Sequence, residues 1–152
     1  MRLDPTIAGL ILLSALIHAS WNAIVKGWVQ HLDRSRIELH LLHTGSIQDD
    51  VTAWAKSQVQ SFEHGNKSLR QWVDTIMEKQ LDVLIYPEIG MDLTVPALAA
   101  QRLAAVQCAS WGHPETSGFP TIDYFLSSAL MEPADADAQY SERLIRLPNL
   151  ST

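Results

Sequence analysis

The residues best suited to chemistry lie close together in one stretch of the chain, residues 110–124. Within it, His113, Glu115, Thr116, Ser117 and Asp123 offer an imidazole, two carboxylates and two hydroxyls. Glycines and prolines interrupt this stretch, which is typical of an irregular loop. Such side chains can hydrogen-bond a sugar or a diphosphate. The alternative is that they serve the loop itself, with hydroxyls satisfying backbone groups and Asp123 capping the entry to a strand.

A second group of carboxylates follows an earlier apolar run. Glu88 and Asp92 come directly after residues 81–87 and could act as a pair on a substrate. Acidic residues at such positions more often cap the helix that follows. Both interpretations stay open at this point, and Glu88 is kept as a candidate binding residue.

No metal site is expected. His40 and His43 are spaced so that a strand would place them on opposite faces, and the chain contains neither an H-x-E nor an HExxH pattern. The lone cysteine, Cys108, excludes an intramolecular disulfide and a zinc site with several cysteines. Inside a predicted strand it is expected to be an inert, small apolar side chain.

The elements that must position these residues alternate between strand and helix. The pattern predicts helices over residues 49–60, 68–80 and 95–102, and strands over residues 36–43, 59–64, 81–87, 106–110, 121–127 and 144–147. Residues 81–87 are almost continuously apolar, as in a strand buried on both faces. This order predicts an α/β fold with a partial Rossmann-like parallel sheet and right-handed crossovers.

Parallel sheets bind ligands beyond the carboxyl ends of their strands. That rule favours three segments of this chain: residues 43–45, 88–92 and 112–118. The loop with the cluster of polar groups is one of them.

Charge is distributed unevenly along the chain. Charged residues make up 18% of the chain, below the roughly 25% of ordinary soluble domains, and none occurs over residues 5–25. Residues 1–27 carry +1 and residues 28–152 carry −7, which together give the net charge of −6. That balance argues against a nucleic-acid binder, which needs a basic face. Asp135, Asp137 and Glu142 are predicted to form a solvated acidic face.

The uncharged segment predicts one hydrophobic helix, which divides the chain into residues 1–27 and residues 28–152. As a helix, residues 5–25 would span about 32 Å, enough to cross a membrane. The alternatives are a signal peptide and a buried core helix. Residues 3–27 resemble the first helix of an EamA-like drug/metabolite transporter. Because Lys26, Arg34 and Arg36 follow this helix, we expect a membrane-associated protein with its α/β part in the cytoplasm, or a cytoplasmic protein if the helix does not insert.

Several motifs in order, over residues 32–150, resemble the O-linked N-acetylglucosamine transferase/SPINDLY-like glycosyltransferases, with the bacterial branch the nearer one. They lie in residues 82–90, 98–107, 111–118, 122–124 and 140–144, and include Trp-Gly-His-Pro-Glu-Thr-Ser-Gly and Tyr-Ser-Glu-Arg-Leu. His113 stands where the family usually has tyrosine, and Met91 and Asp92 replace the family's usual residues after Gly90.

The resemblance implies a two-lobed enzyme that transfers a sugar from a nucleotide-sugar such as UDP-GlcNAc to protein hydroxyls. It implies an acceptor protein and a nucleotide-sugar as partners and no other cofactor, with the donor expected only for the complete family fold. In this interpretation Glu88, His113, Glu115, Thr116, Ser117 and Asp123 line the remaining half of the cleft in positioning roles, and no general base is assigned.

The resulting hypothesis is a chain made of a membrane-type helix and an incomplete first lobe. It is expected to be inactive alone, with a partner chain as one source of the second lobe. The alternatives are a membrane-anchored interaction module, or a transporter-derived remnant, without catalysis, and a broken reading frame with no stable product.

Overall fold

The structure is a computed structural model, and it describes residues 26–27, 29–46, 49–90, 92–110, 112 and 115–148. The segment 5–25, predicted to be a membrane helix, and the candidate residue His113 both lie outside the described residues. Within the described part of the chain, no helix combines the length and the apolar character needed to cross a membrane.

The described elements alternate as the sequence predicts. The strands are β1 (His40–His43), β2 (Ser61–His64), β3 (Val83–Tyr86), β4 (Val106–Ser110), β5 (Tyr124–Ser128) and β6 (Arg143–Leu147). The α-helices include α1 (Asp50–Ser57), α2 (Leu69–Glu78) and α3 (Thr94–Ala99), and a short 3₁₀ helix covers Ala136–Gln139. Residues 26–27 and 29–31 are helical as well.

These elements form two compact units. The first holds the described residues up to His43 together with those from 49 to Glu63, and the second holds Thr44–Ser46 and the residues from His64 onward. In the first unit, β1 and β2 form a two-stranded sheet. Asp49 begins α1 by accepting a hydrogen bond from the Thr52 amide at 2.8 Å. The domain boundary predicted after residue 27 stays a prediction.

The second unit is built on a four-stranded parallel sheet in the order β3-β4-β5-β6. Successive strands are neighbours, so each connection crosses to the adjacent strand. Parallel pairing of this kind confirms the predicted α/β class with a parallel sheet.

Helix α2 follows directly from its sequence. Ser68 and Gln71 form a capping box, in which the Gln71 amide donates to the Ser68 hydroxyl and the Ser68 amide donates to the Gln71 side chain. The apolar spacing predicted for this helix buries Trp72 and Ile76, each 1% exposed. Together with α3, which it contacts, α2 contributes to the core of this unit.

One face of the sheet carries the core, and the other is partly open. Tyr86, Ala109, Phe125 and Leu144 lie side by side in register across the four strands, and all are buried. On the opposite face of β3, by contrast, Val83 is 50% exposed and Ile85 39% exposed. The prediction that residues 81–87 are buried on both faces is therefore wrong. An apolar run does not reveal whether both of its faces are covered.

Four strands begin later than the sequence predicts, and for two of them a turn is the reason. The strand predicted from residue 36 begins at His40, because the amides of Arg36 and Ile37 turn back to the Asp33 carbonyl. The strand predicted from residue 121 begins at Tyr124, because the Ile122 amide donates to the Phe119 carbonyl.

Candidate functional site

A cavity of about 250 Å³ lies within the second unit, where β3 and β4 end. Its apolar walls are formed by Ile89, Pro96, Ala109, Phe119 and Phe125. This location agrees with the rule that parallel sheets bind ligands at the carboxyl ends of their strands. Two of the three segments favoured by the sequence, residues 88–92 and 112–118, contribute to it.

The polar wall of the cavity contains three of the predicted site residues. Glu115, Thr116 and Ser117 line it together with Ser110 and the backbone of Gly90. Glu115 is exposed, whereas Thr116 and Ser117 are half-buried. The structure therefore brings these three predicted residues together at one cavity.

The loop that carries them is held by a buried carboxylate. Glu142, which precedes β6, is only 5% exposed. It accepts hydrogen bonds from the Thr116 hydroxyl at 2.6 Å, from the Ser117 amide at 2.8 Å and from the Ser117 hydroxyl. The Ser141 amide adds a bond to the Thr116 hydroxyl at 3.1 Å. Two segments about 25 residues apart are thus joined into one network.

The hydrogen bonds also set the charge state of this carboxyl group. Burial by itself would raise the pKa of Glu142, but the bonds from Ser117 and Thr116 outweigh burial and hold the pKa below its ordinary value. Glu142 is therefore an ionised, buried anchor. The prediction that it belongs to a solvated acidic face is wrong, because the donors that surround it replace water. Its place in the Tyr-Ser-Glu motif was the one sequence signal that could have found it.

Tyr140, the first residue of that motif, anchors a second loop. Its hydroxyl donates to Glu132 at 2.8 Å, and the same carboxylate accepts from the Ser127 hydroxyl at 2.6 Å. Burial, followed by the bond to Glu132, raises the pKa of Tyr140 to about 12. Its ring lies 4.7 Å from that of Phe125, centroid to centroid, and Phe125 forms part of the cavity wall. Tyr140 therefore packs against Phe125, a residue of the cavity wall, without lining the cavity itself.

Gly118 ends the polar segment of the loop in a backbone conformation that favours glycine. Its φ is +69°, while a Cβ atom built there would meet no atom within 4 Å. The backbone angle, and not a lack of space, therefore explains the glycine after Ser117.

Asp123 is not brought together with the cavity residues. It lies at the start of β5 and forms a two-pronged ion pair with Arg102, with oxygen–nitrogen distances of 2.6 and 3.1 Å. Asp123 also accepts a hydrogen bond from the backbone amide of Gln107 at 2.8 Å. The bond from Arg102, followed by that from Gln107, lowers the pKa of Asp123. Because β4 and β5 are parallel, the connection between them runs from the carboxyl end of β4 to the amino end of β5. The Glu115–Ser117 segment therefore lies near the carboxyl ends of the strands, and Asp123 lies at their amino ends.

Gln107, beside this ion pair, was not singled out from the sequence. Its side chain is fully buried, accepts from the Leu103 amide and donates to the carbonyls of Gln101 and Thr121, each at 2.9 Å. It fixes the turns on either side of β4. Within the motif over residues 98–107, Arg102 thus holds Asp123, and Gln107 holds the turns beside β4.

The second group of carboxylates separates into two roles. Asp92 accepts from the amides of Thr94 and Val95, both at 2.7 Å, at the start of α3, which confirms the capping interpretation. The Thr44 hydroxyl donates to its other oxygen at 3.0 Å. Glu88 is half-buried just after β3 and does not line the cavity.

The remaining candidates show no metal-binding arrangement. In the described part of the chain, no three histidine, cysteine or acidic side chains are grouped closely enough to hold a metal ion. Cys108 is 6% exposed, and burial raises the pKa of its thiol to about 11. The expected burial of this cysteine is confirmed, and the raised pKa supports the prediction that it is unreactive.

Comparison with known proteins relates this chain to glycosyltransferases. No family model matches it. The probable UDP-N-acetylglucosamine–peptide N-acetylglucosaminyltransferase SPINDLY of Petunia hybrida is 32% identical over 134 residues, which are 87% of this chain and 13% of that protein. The corresponding protein of Solanum lycopersicum is 46% identical over 50 residues, covering 33% of this chain and 5% of that protein.

A bacterial enzyme and a solved structure extend the comparison. The UDP-glucose:protein N-beta-glucosyltransferase of Actinobacillus pleuropneumoniae is 31% identical over 83 residues, 54% of this chain and 13% of the enzyme. A mutant of Thermobaculum terrenum O-GlcNAc transferase shares the fold with a TM-score of 0.77 at 18% identity, over 86% of this chain and 25% of that one. At its longest matches the chain spans about an eighth of the curated relatives. The chain is therefore homologous to a part of the O-GlcNAc transferase/SPINDLY-like glycosyltransferases.

Proposed function

We propose that this chain supplies part of the first lobe of a protein glycosyltransferase, which moves a sugar from a nucleotide-sugar to serine or threonine hydroxyls. The observation that carries the proposal is the joining of two motifs of the homologous region. Thr116 and Ser117 of one motif line a cavity at the carboxyl ends of parallel strands, where such sheets bind ligands, and both bind the buried Glu142 of the other motif. Motifs that are distant in sequence thus meet at one place.

In this proposal the chain provides positioning and does not catalyse transfer alone. Sugar transfer requires donor and acceptor to be held against each other, and the negative charge that develops on the leaving diphosphate must be stabilised. None of the described residues lining the cavity is basic. In this proposal, the groups that neutralise the diphosphate come from another lobe, supplied by further sequence or by a partner chain.

The proposal is tested by a transfer assay with radiolabelled UDP-GlcNAc and an acceptor protein. We expect no transfer by the isolated chain. We expect transfer by a chimera in which residues 64–148 replace the matching segment of the Thermobaculum terrenum O-GlcNAc transferase. A folded chimera that binds UDP but transfers no sugar would contradict the proposal, as would robust transfer by the isolated chain. A chimera with Glu142→Ala is the matched control, because it removes the acceptor of the loop's hydrogen bonds.

A second proposal concerns residues 5–25, which carry no charge and are long enough as a helix to span a membrane. We propose that they anchor the chain in a membrane with the α/β part in the cytoplasm. The same segment favours the alternative function, a membrane-anchored interaction module without catalysis. Membrane fractionation of the expressed chain and of a variant lacking residues 1–25 tests the anchor. Recovery of the full chain in the soluble fraction, folded, would exclude it.

A further inference from the structure

Three polar side chains meet on one face of the two-stranded sheet in the first unit. Glu38 precedes His40 by two residues, the spacing that places side chains on the same face of an extended chain. Ser61 begins the neighbouring strand β2, and its hydroxyl oxygen lies 2.7 Å from Nδ1 of His40. Nε2 of the same ring lies 3.4 Å from the Glu38 carboxylate. One imidazole therefore joins a hydroxyl to a carboxylate.

The two contacts of the ring determine where its proton lies. A carboxylate accepts hydrogen bonds, so the contact with Glu38 favours the tautomer that carries the proton on Nε2. Nδ1 then has a free lone pair and accepts from the Ser61 hydroxyl. A serine hydroxyl becomes a nucleophile when an adjacent base takes its proton and a third group orients that base. The three side chains have the types and the order of contacts that this chemistry needs.

The surroundings hold the group in place and leave it reachable. The Gln60 amide donates to the Leu39 carbonyl at 3.0 Å, which ties the two strands together directly beside the group. The His40 side chain is 17% exposed, Ser61 is half-buried, and the Glu38 side chain is 64% exposed. A small molecule can therefore approach from solvent. The exposed carboxylate repels anions, so an uncharged substrate fits best.

From this arrangement we propose that Ser61 accepts acyl groups from small uncharged esters, with His40 as its general base and Glu38 as the positioning residue that orients the ring. The Ser61 oxygen bonds to the ester carbonyl carbon while His40 takes the hydroxyl proton. The bond between that carbon and the alcohol oxygen then breaks, and His40 returns the proton to the departing alcohol. Water attacks the acyl-serine in the same manner and releases the carboxylic acid.

The first test uses the full chain and a fluorophosphonate, which phosphonylates activated serines with loss of fluoride. Trypsin releases residues 57–67 as one peptide that holds both Ser57 and Ser61, and tandem mass spectrometry tells the two adducts apart. We expect Ser61 to react about tenfold or more faster, because a positioned base accelerates proton transfer. Ser57 is exposed and donates to the Trp54 carbonyl, so access alone predicts the opposite order.

Two variants and a matched control assign the roles. His40→Ala removes the base and should slow modification of Ser61 about tenfold or more, and free imidazole should restore part of the rate. Glu38→Gln changes an exposed side chain and should lower kcat for p-nitrophenyl acetate about two- to tenfold with KM unchanged, while Glu38→Asp keeps part of the activity. His64→Gln replaces an exposed histidine of β2 and should react like the wild type.

Equal modification of Ser57 and Ser61 would overturn the proposal, as would an unchanged rate in folded His40→Ala. An unchanged kcat in Glu38→Gln would overturn the role of the carboxylate. Should His40→Ala unfold, as circular dichroism would show, the comparison of the two serines and Glu38→Gln still decide the outcome. The result is independent of the proposed glycosyltransferase function, because these side chains lie in the first unit and the cavity lies within the second.

Discussion

At the scale of single residues, the candidate site depends on one buried carboxylate. Glu142 holds Thr116 and Ser117 through charge-assisted hydrogen bonds, which are about twice as strong as neutral ones. These bonds hold the loop in the observed arrangement. Glu115, by contrast, is exposed on the wall of the cavity.

We predict that Glu142→Gln destabilises the fold by about 1–3 kcal/mol, because the amide turns a donor toward groups that donate. The effect depends on pH. The folded-state pKa of Glu142 lies below its ordinary value of 4.5, so the unfolded state binds the proton first. The stabilisation is full above the unfolded pKa and is lost as the pH falls through the lower folded pKa.

Urea titrations of the wild type and Glu142→Gln at a series of pH values check this prediction. The gap between their free energies of unfolding should narrow below pH 4.5. Glu78→Gln, an exposed replacement on α2, is the control and should behave like the wild type. A gap that is constant with pH would show that the charge of Glu142 does not matter.

Gln107 gives a second prediction at this scale. Gln107→Leu keeps the volume but strands the Leu103 amide and the carbonyls of Gln101 and Thr121 in the interior. Each stranded group costs about 1–3 kcal/mol, so a loss of at least about 2 kcal/mol is expected. Gln101→Leu loses one bond on a half-buried side chain and should cost well under half as much. Equal costs in thermal or urea unfolding would contradict this account.

At the scale of elements, the sheet has two unlike faces. Leu84, 7% exposed, lies between Val83 and Ile85, which are 50% and 39% exposed. We predict that Val83→Thr with Ile85→Thr changes the free energy of unfolding by less than about 0.5 kcal/mol per site and raises solubility. Leu84→Thr should cost about 2 kcal/mol or more, because it places a hydroxyl in the core.

Urea unfolding measures the change in the free energy of unfolding of these variants, and ultracentrifugation measures their solubility. A large loss of stability in the double threonine variant would mean that the open face of β3 is covered in solution. The Leu84→Thr variant serves as the positive control, since its side chain points to the opposite face of the same strand.

The elements could largely be predicted from local pattern, and the site only in part. The spacing of Trp72 and Ile76 and the Ser68 cap identified α2, because those interactions lie within one helix. Glu142 could not be placed by the same means. It lies near Asp137 in sequence and looks like a surface charge, while its partners are about 25 residues away.

Asp123 shows the opposite error: it was predicted to belong to the site, but it lies apart from the cavity residues. Because Asp123 is close to Ser117 in sequence, the two were predicted to line the same site. The connection between them, however, runs from the carboxyl ends of the strands to their amino ends. Asp123 therefore pairs with Arg102 instead. Long-range pairing decides such placements, and it leaves no local signal. The family motifs, which join distant segments, carried the information that periodicity lacked.

At the scale of the whole molecule, the chain is homologous to a part of much longer glycosyltransferases. The described residues that line its cavity are largely apolar and include the carboxylate of Glu115 but no basic side chain. In the proposed function, this part of the lobe has a positioning role and the donor diphosphate is held elsewhere.

Calorimetric titration of the full chain with uridine diphosphate tests that division most directly. We predict no saturable heat at micromolar concentrations of the nucleotide, because no described residue at the cavity can neutralise its phosphates. A one-to-one isotherm with a micromolar dissociation constant would contradict the account, since the donor site would then lie within this chain.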